Sequence, residues 1–372
     1  MDVILLAQKL VQFNTINPPG NEKEIALFCG GILSRNGFDV TYFPYKENRL
    51  NVVAEIGITE NKSAIVLSGH LDVVPLGQKE WSVDPFAGEI INDKLYGRGA
   101  ADMKSGVAAI ISSAIRRVKT SIPEGGIRII LSVSEEDGCK GIAHLIDTAK
   151  GKLGNARAII VAEPTDNIPI CGHKGALYLW IKVTGLTAHS SMPGKGDNAI
   201  YKAARAISKI ENYKFNIEED PILGMPTINV GVVKGGLNIN SVPDKAEFSI
   251  DVRSTTKINH HEIIDEFRNL LGDEFSFEKL IDRKPVFTDV NHPFVQFVDK
   301  VVGVNRTKGN VPKALPYVTD ASILQDYYKD VPTIIMGPGE SFMAHQTDEY
   351  CKLDSIQKAE EDFFNIIGGK NV

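Results

Sequence analysis

His70, Asp72, Asp102, Glu135, Glu136, Glu163 and His345 are acids and histidines that the hydrophobic pattern sets just beyond a row of apolar, strand-like segments. Carboxylate oxygens mixed with imidazole nitrogens suit zinc, cobalt or manganese. With no cysteine among them, a structural zinc site of the thiolate type is excluded. So many carboxylates in one place repel each other unless cations neutralise them. Two divalent ions would do so, and a metal pair needs a ligand shared between its members.

Taken singly, each residue has an ordinary explanation. A histidine after a strand is commonly a surface or core polar group, Asp102 could be a helix N-terminal acid, and Glu135-Glu136-Asp137-Gly138 could be a solvated turn. What points to a site is that several strand ends carry such groups at once. Ala64-Ile-Val-Leu67 is a short β-branched run read as a buried strand. It leads into His70-Leu71-Asp72, and alternation along a strand sends His70 and Asp72 out on one face. Asp102 stands at the mouth of an amphipathic helix starting near Lys104. Ile127–Val133 runs into Glu135-Glu136, and Ala158–Ala162 into Glu163.

The elements that must hold these groups follow an α/β pattern. Helices are predicted over about 2–13 and 22–36, then strands at Asp39–Phe43, Leu50–Ile56 and Ala64–Gly69. The helix from Lys104 to Lys119 and the Ile127–Val133 strand follow, then a helix at Ile142–Ala149 and the Ala158–Ala162 strand. This alternation indicates a mostly parallel sheet. From about Gly175 the order becomes β-α-β-β-α-β, with strands at Tyr178–Thr184, Thr227–Val233, Ala246–Arg253 and Phe275–Ile281 and helices at Asn198–Glu211 and His260–Leu271. That is the order of a ferredoxin-like α+β sandwich. It predicts an inserted domain over 175–286 within a catalytic domain of 1–174 and 287–372. The latter resumes with helices at Pro293–Val302 and Ala321–Tyr328, a strand at Thr333–Met336 and a closing helix at Asp354–Ile367.

Composition narrows the function classes. The 372 residues are 43% hydrophobic and 24% charged, with a net charge of −6, which argues against a nucleic-acid partner. The dispersed cysteines Cys29, Cys139, Cys171 and Cys351 form no C-x-x-C pair and read as reduced thiols. Met1–Phe13, interrupted by Asp2 and Lys9, reads as an amphipathic helix and not as a secretory signal. No membrane segment is visible, so a cytoplasmic protein without a membrane partner is expected.

The wording of the chain is more specific than its pattern. Gly69-His-Leu-Asp-Val-Val-Pro75, Trp81-(x)3-Pro85-Phe86, Leu95-Tyr-Gly-Arg-Gly99, Ala101-Asp-Met-Lys-Ser-Gly106, Glu135-Glu136, Ala162-Glu-Pro164 and Ala344-His345 together resemble a known family. It is the dinuclear-zinc metallopeptidases that include succinyl-diaminopimelate desuccinylase, acetylornithine deacetylase, aminoacylases and glutamate carboxypeptidases. The resemblance covers nearly the whole chain. It implies that His70 and Glu163 hold one metal, that Glu136 and His345 hold the other, and that Asp102 bridges them, with a cis peptide after it. The metal pair would be Zn2+, with Co2+ or Mn2+ as substitutes. Asp72 would orient the His70 ring, and Glu135 would be the general base.

The same resemblance makes the inserted domain a lid and dimerisation domain. His189 would be donated across a homodimer interface to stabilise the tetrahedral oxyanion. Arg253 would grip the substrate carboxylate and Asn240 would contact the substrate. The implied activity is hydrolysis of an N-acylated amino acid, with desuccinylase or deacetylase chemistry foremost. An aminoacylase, dipeptidase or carboxypeptidase of the same mechanism is the alternative, and a non-catalytic binding protein on the same fold the remote one.

Overall fold

The computed structural model describes residues 2–149, 151–306, 314–329 and 331–369. It divides into two compact units. One comprises Met1–Gly172, Phe287–Lys313 and Thr319–Val372, the other His173–Val286 and Ala314–Val318.

The first unit is built on a six-stranded sheet in the order 39–46, 49–56, 127–132, 64–70, 156–161, 333–335. The first two strands run antiparallel, while Ile127–Ser132, Ala64–His70, Ala156–Val161 and Thr333–Ile335 are parallel. Ala64–His70 is buried along its whole length, which explains its unbroken apolar sequence: a strand covered on both faces has no polar side to show. Register matters here. Pairing of His70 with Ser132 and of Ser68 with Val161 brings neighbouring strands to their carboxyl ends at one level. That edge is where open parallel sheets build sites.

Helix Ser105–Thr120 packs against the sheet and between helices Val3–Val11 and Leu353–Ile367. Its first eleven residues are buried, and Val107, Ile110, Ile111 and Ala114 join Leu67, Ile129 and Ile160 in one apolar core. Before it, Ala100–Lys104 is a tight, kinked turn with non-helical backbone at Asp102 and Met103, and the Asp102–Met103 peptide is cis. A small sheet of Ile90–Ile91, Lys94–Tyr96 and Tyr350–Lys352, not predicted from sequence, ties this region to the C-terminal loop.

The second unit has the β-α-β-β-α-β order expected. Its sheet runs 227–229, 245–254, 175–184, 275–283 with antiparallel neighbours. Leu177, Leu179, Ile181 and Val183 alternate inward and meet Phe248, Ile250 and Val252. Ala199, Ala203, Ala206 and Ile210 of one helix, with Ile263, Phe267 and Leu271 of the other, close that core.

Two expectations are corrected. The strand predicted over Thr227–Val233 is two short strands, Thr227–Asn229 and Val233–Gly235. Asn229 pairs with Asp251 but Val233 with Phe248, so three residues oppose two. That is a bulge, placed at Gly231 where no side chain resists it. Ala314–Val318, expected with the catalytic part, groups with the second unit, where Leu315 bridges His173 and accepts from the Lys174 N–H at 3.1 Å.

Close packing at the sheet edge can be tested at Gly106. A Cβ there would lie 2.2 Å from the Ala162 carbonyl oxygen, one residue before Glu163. Gly106→Ala should therefore lower stability in urea unfolding by roughly 1–3 kcal/mol, the usual cost of overpacking. Gly194→Ala, with nothing within 4 Å, should stay within about 0.5 kcal/mol of the parent. Equal stabilities would refute the claim of tight contact.

Candidate metal centre

The carboxyl ends of the parallel strands deliver the first unit's acids and histidines to one place. His70 closes its strand. Its Nδ1–H donates to the Asp72 main-chain carbonyl at 2.9 Å, which turns Nε2 toward Asp102 Oδ1 at 3.1 Å. Glu163 Oε2 is 3.9 Å from the same nitrogen. On the other side of Asp102, Oδ2 lies 3.4 Å from His345 Nε2, and that nitrogen is 3.1 Å from Glu136 Oε2. Two ligand groups result, His70–Asp102–Glu163 and Asp102–Glu136–His345. They share Asp102.

These residues fit a pair of cations on two counts. The donors are oxygen and imidazole nitrogen, as for divalent metals of the zinc type. In addition, Glu163 Oε1 is buried with no hydrogen-bond partner, an orphan that a bound cation would satisfy.

Electrostatics agree. Burial pushes the Glu135 and Glu163 carboxyls well above their usual range, partly offset by His70. Burial also raises Glu136, with the Asp102 charge adding to it. Burial opposes ionisation of Asp102 too, but hydrogen bonds from His345 and His70 hold it well below the ordinary carboxylate value. Asp102 and Glu136 push His345 up to about 10. Burial works against the His70 imidazolium, yet Asp102, Glu163 and Glu135 hold its pKa well above the ordinary value. Carboxylates that resist ionising beside imidazoles that hold protons describe a cluster short of positive charge.

Asp72 meets His70 Nδ1 through its main-chain carbonyl, with carboxylate Oδ1 3.8 Å from the same nitrogen, and the carboxylate also holds a neighbouring turn. Oδ1 accepts the Glu135 N–H at 3.1 Å, while Oδ2 accepts the Glu136 N–H at 3.2 Å and Asn17 Nδ2–H at 2.9 Å. Asn17 in turn accepts from Arg49 at 3.3 Å, and Arg49 forms a buried ion pair with Glu22. One fully buried carboxylate thus fixes the Glu135–Glu136 turn. The sequence offered no signal for Asn17, whose side chain meets Asp72 only through tertiary folding.

Glu135 and Glu136 diverge as neighbouring residues do: Glu136 joins His345, while Glu135 lies against Cys139 and Asp320. Cys139, one of the cysteines read as reduced thiols, donates Sγ–H to Glu135 Oε1 at 3.4 Å. Asp320 was missed, although it sits in Thr319-Asp-Ala-Ser322. Burial raises it to about 6, and it accepts a hydrogen bond from Ser132.

His189, Arg253 and Asn240 all lie in the second unit. His189 is exposed, and its Nδ1 accepts from the Ser191 N–H at 3.1 Å. Its loop pairs with the one carrying Asn240, whose carbonyl accepts the Ser190 N–H at 3.1 Å. Arg253 is engaged by Asp251 through Nε at 2.9 Å and by the Tyr178 hydroxyl through Nη2 at 2.6 Å. The same unit holds Ser254, His260 and Asp282, joined by two 2.6 Å hydrogen bonds. Ser254 is fully buried, so this trio is an internal strut and no nucleophile.

A model for "Peptidase family M20/M25/M40" matches residues 66–367. The chain is 30% identical to a "Probable succinyl-diaminopimelate desuccinylase" of Staphylococcus aureus, over 97% of each chain. It is also 30% identical to an "Acetylornithine deacetylase" of Vibrio parahaemolyticus, over 86% of this chain and 84% of that one. Its fold is similar to that of an M20 family metallo-carboxypeptidase from Sulfolobus solfataricus, with TM-score 0.79 at 20% identity over 99% of both chains. A dinuclear metal-binding M20 peptidase from Bacillus subtilis is similar in fold at TM-score 0.73 and 16% identity, over 98% of this chain and 96% of that one.

The Asn17–Asp72 contact makes a quantitative expectation. Asn17→Ala and Asp72→Asn should each lower stability by about 1–3 kcal/mol, since each leaves buried polar groups unpaired. Because they share a bond, the double variant should cost less than the sum. Strict additivity in urea unfolding would mean that Asn17 does not support Asp72.

Proposed function

The chain belongs to peptidase family M20/M25/M40 and is a metal-dependent hydrolase; on that premise we propose that it removes an acyl group from an N-acylated amino acid. Succinyl-diaminopimelate and acetylornithine are the foremost substrates. The observation that carries the reading is Asp102, with one carboxylate oxygen turned to each ligand group. The substrate assignment is supported by relatives of those names, aligned over most of the chain.

His70 and Glu163 would hold one cation, Glu136 and His345 the other, with Asp102 between, and Zn2+ fits this donor set, with Co2+ or Mn2+ as substitutes. When bound, the cations supply Lewis acidity, polarising the scissile carbonyl and acidifying water in the site. Glu135 is the general base. Its raised affinity for a proton suits a group that takes one from the attacking water and then delivers it to the departing amine. Asp72 keeps the Glu135 and Glu136 main chain in place throughout. Arg253 would receive the substrate carboxylate on Nη1, since Asp251 and Tyr178 occupy Nε and Nη2. Asn240 would contact the substrate beside it.

We also read the chain as a homodimer that donates His189 to the oxyanion in the partner's site. Supporting this, the edge segment of the second unit exposes Val232, Val233, Leu237 and Ile239, the last two at 97% and 99%. Apolar side chains grouped on an open strand edge favour burial against another chain. No helix among the described residues is long and apolar enough to cross a membrane.

Purified protein loaded with zinc should hydrolyse N-succinyl-diaminopimelate or N-acetylornithine, and a chelator should abolish turnover. Glu135→Ala should reduce kcat by at least 10²–10⁴-fold, roughly the contribution of a positioned base. Turnover of dipeptides alone would keep the mechanism and reject the substrate assignment. Undiminished activity in Glu135→Ala would reject the mechanism.

Dimer donation has its own test. Glu135→Ala and His189→Ala proteins should each be nearly inactive. Exchanging their subunits should restore about a quarter of parental activity, because half of the dimers are mixed and each carries one intact site. No recovery despite proven exchange would place His189 outside the partner's site.

A further inference from the structure

We propose that Arg98 and Glu349 form a buried bracket that sets the separation between Asp102 and His345, and so shapes the second of the two cation sites. They are positioning residues for that site. The inference rests on the two-cation reading above.

The two cation sites are supported in different ways. His70 closes a strand paired on both sides, and Glu163 stands two residues past the end of the strand next to it, after Ala162 whose N–H donates to the Ser68 carbonyl at 3.0 Å, so main-chain pairing places them. Asp102 and His345 have no ladder. Asp102 sits in a kinked turn with non-helical backbone. His345 adopts the left-handed conformation, φ 65°, which a side chain rarely takes unless its surroundings impose it.

Glu349 supplies the turn's missing order. Its carboxylate is completely buried. Oε1 accepts the N–H groups of Ala101 at 2.8 Å and Asp102 at 3.0 Å, and Oε2 accepts that of Gly99 at 3.1 Å. The Glu349 carbonyl also accepts the Gly97 N–H at 2.9 Å. One side chain therefore fixes the loop on which Asp102 stands, including Asp102's own amide.

Arg98 ties that loop to the others. Nη1 donates to Glu349 Oε2 at 2.6 Å and to the Gln346 carbonyl at 3.2 Å. Nη2 donates to the Pro75 carbonyl at 3.2 Å and, more weakly, to that of His345 at 3.5 Å. The guanidinium carbon stands 5.1 Å from the Trp81 ring. A planar fork that meets carbonyls on separate loops has no lysine equivalent. Buried and paired, the two side chains hold the loop of the shared ligand against the loop of the half-exposed His345.

Outer groups that orient metal ligands commonly change affinity by about 10–100-fold when lost. Arg98→Lys keeps the charge opposite Glu349 but loses the fork. Glu349→Gln keeps the shape but loses the charge. Full-length parent and variants would be loaded with Zn2+, and the equivalents retained after dialysis counted by mass spectrometry. Titration with Co2+, followed by absorption, would give the affinity of each step.

The parent should retain two equivalents. Arg98→Lys should retain one, bind the second about 10–100-fold more weakly, and lose kcat with little change in KM. Excess Zn2+ should restore turnover. Phe267→Ala, a cavity in the second unit's core, controls for general destabilisation and should keep both ions. If both variants bind two ions as the parent does, the bracket has no positioning role and the inference falls. If Glu349→Gln fails to fold, Arg98→Lys decides alone. A parent binding fewer than two ions would overturn the two-cation reading and the bracket with it.

Discussion

Packing like charges into a buried place is the constraint on which the first unit depends. Asp72, Asp102, Glu135, Glu136, Glu163 and Asp320 crowd the carboxyl edge of one sheet with few fixed cations close by. Such a cluster is unfavourable unless something positive enters it, because a carboxylate removed from water without a partner is costly. His70 and His345 supply part of that charge by holding protons. Lys104, buried behind the site and pulled down to about 7 by its burial, is poorly suited to supply the rest. An arrangement of this kind stores affinity for divalent cations in the fold itself.

Affinity of that kind would require the candidate ligands to stay put while they repel one another. The strand ladders hold His70 and Glu163, and hydrogen bonds from side chain to main chain hold the others. Asp72 anchors the amides of the Glu135–Glu136 turn, and Glu349 anchors those of the Asp102 turn. Both anchors are fully buried acids that accept several N–H donors, and Glu349 is also paired with the Arg98 guanidinium. The apolar core beneath, from Leu67 to Ile160 and helix Ser105–Thr120, leaves these loops a firm floor. Apolar packing and the charged cluster thus occupy different ends of the same strands.

The second unit follows a different logic. One face of its sheet is covered by two helices, and the alternation along Gly175–Thr184 and Lys245–Ser254 leaves the other face open. A bulge at 230–232 and exposed apolar residues after it mark the edge. Such an edge is a liability in an isolated chain. An interface with a second copy would turn it to use.

Much of this was legible from sequence because it is local. Continuous β-branched runs announced the buried parallel strands, alternation announced the half-covered sheet of the second unit, and the acids and histidines after the runs marked the candidate cluster, whose ligand roles only the family resemblance implied. Residues His70, Asp102, Glu136 and Glu163 could be collected this way since each stands within a few positions of a recognisable element, whereas His345 lies farther out, beyond the Gly-rich break at 337–339. The broken strand at Thr227–Asn229 was not legible, because a bulge is decided by the partner's register and not by the run itself. Asn17, Arg98, Asp320 and Glu349 escaped for the same kind of reason. Arg98 stood within a quoted stretch, yet nothing local says that it will meet Glu349, 251 positions along the chain, or that Asp320 will meet Ser132, 188 positions away. The sequence determined which chemistry the chain carries, since donor types and strand-end positions are properties of short segments. Only the tertiary structure decided how the ligands are held apart and which acids anchor the loops, because those contacts join distant segments and exist only once the sheet has set their register.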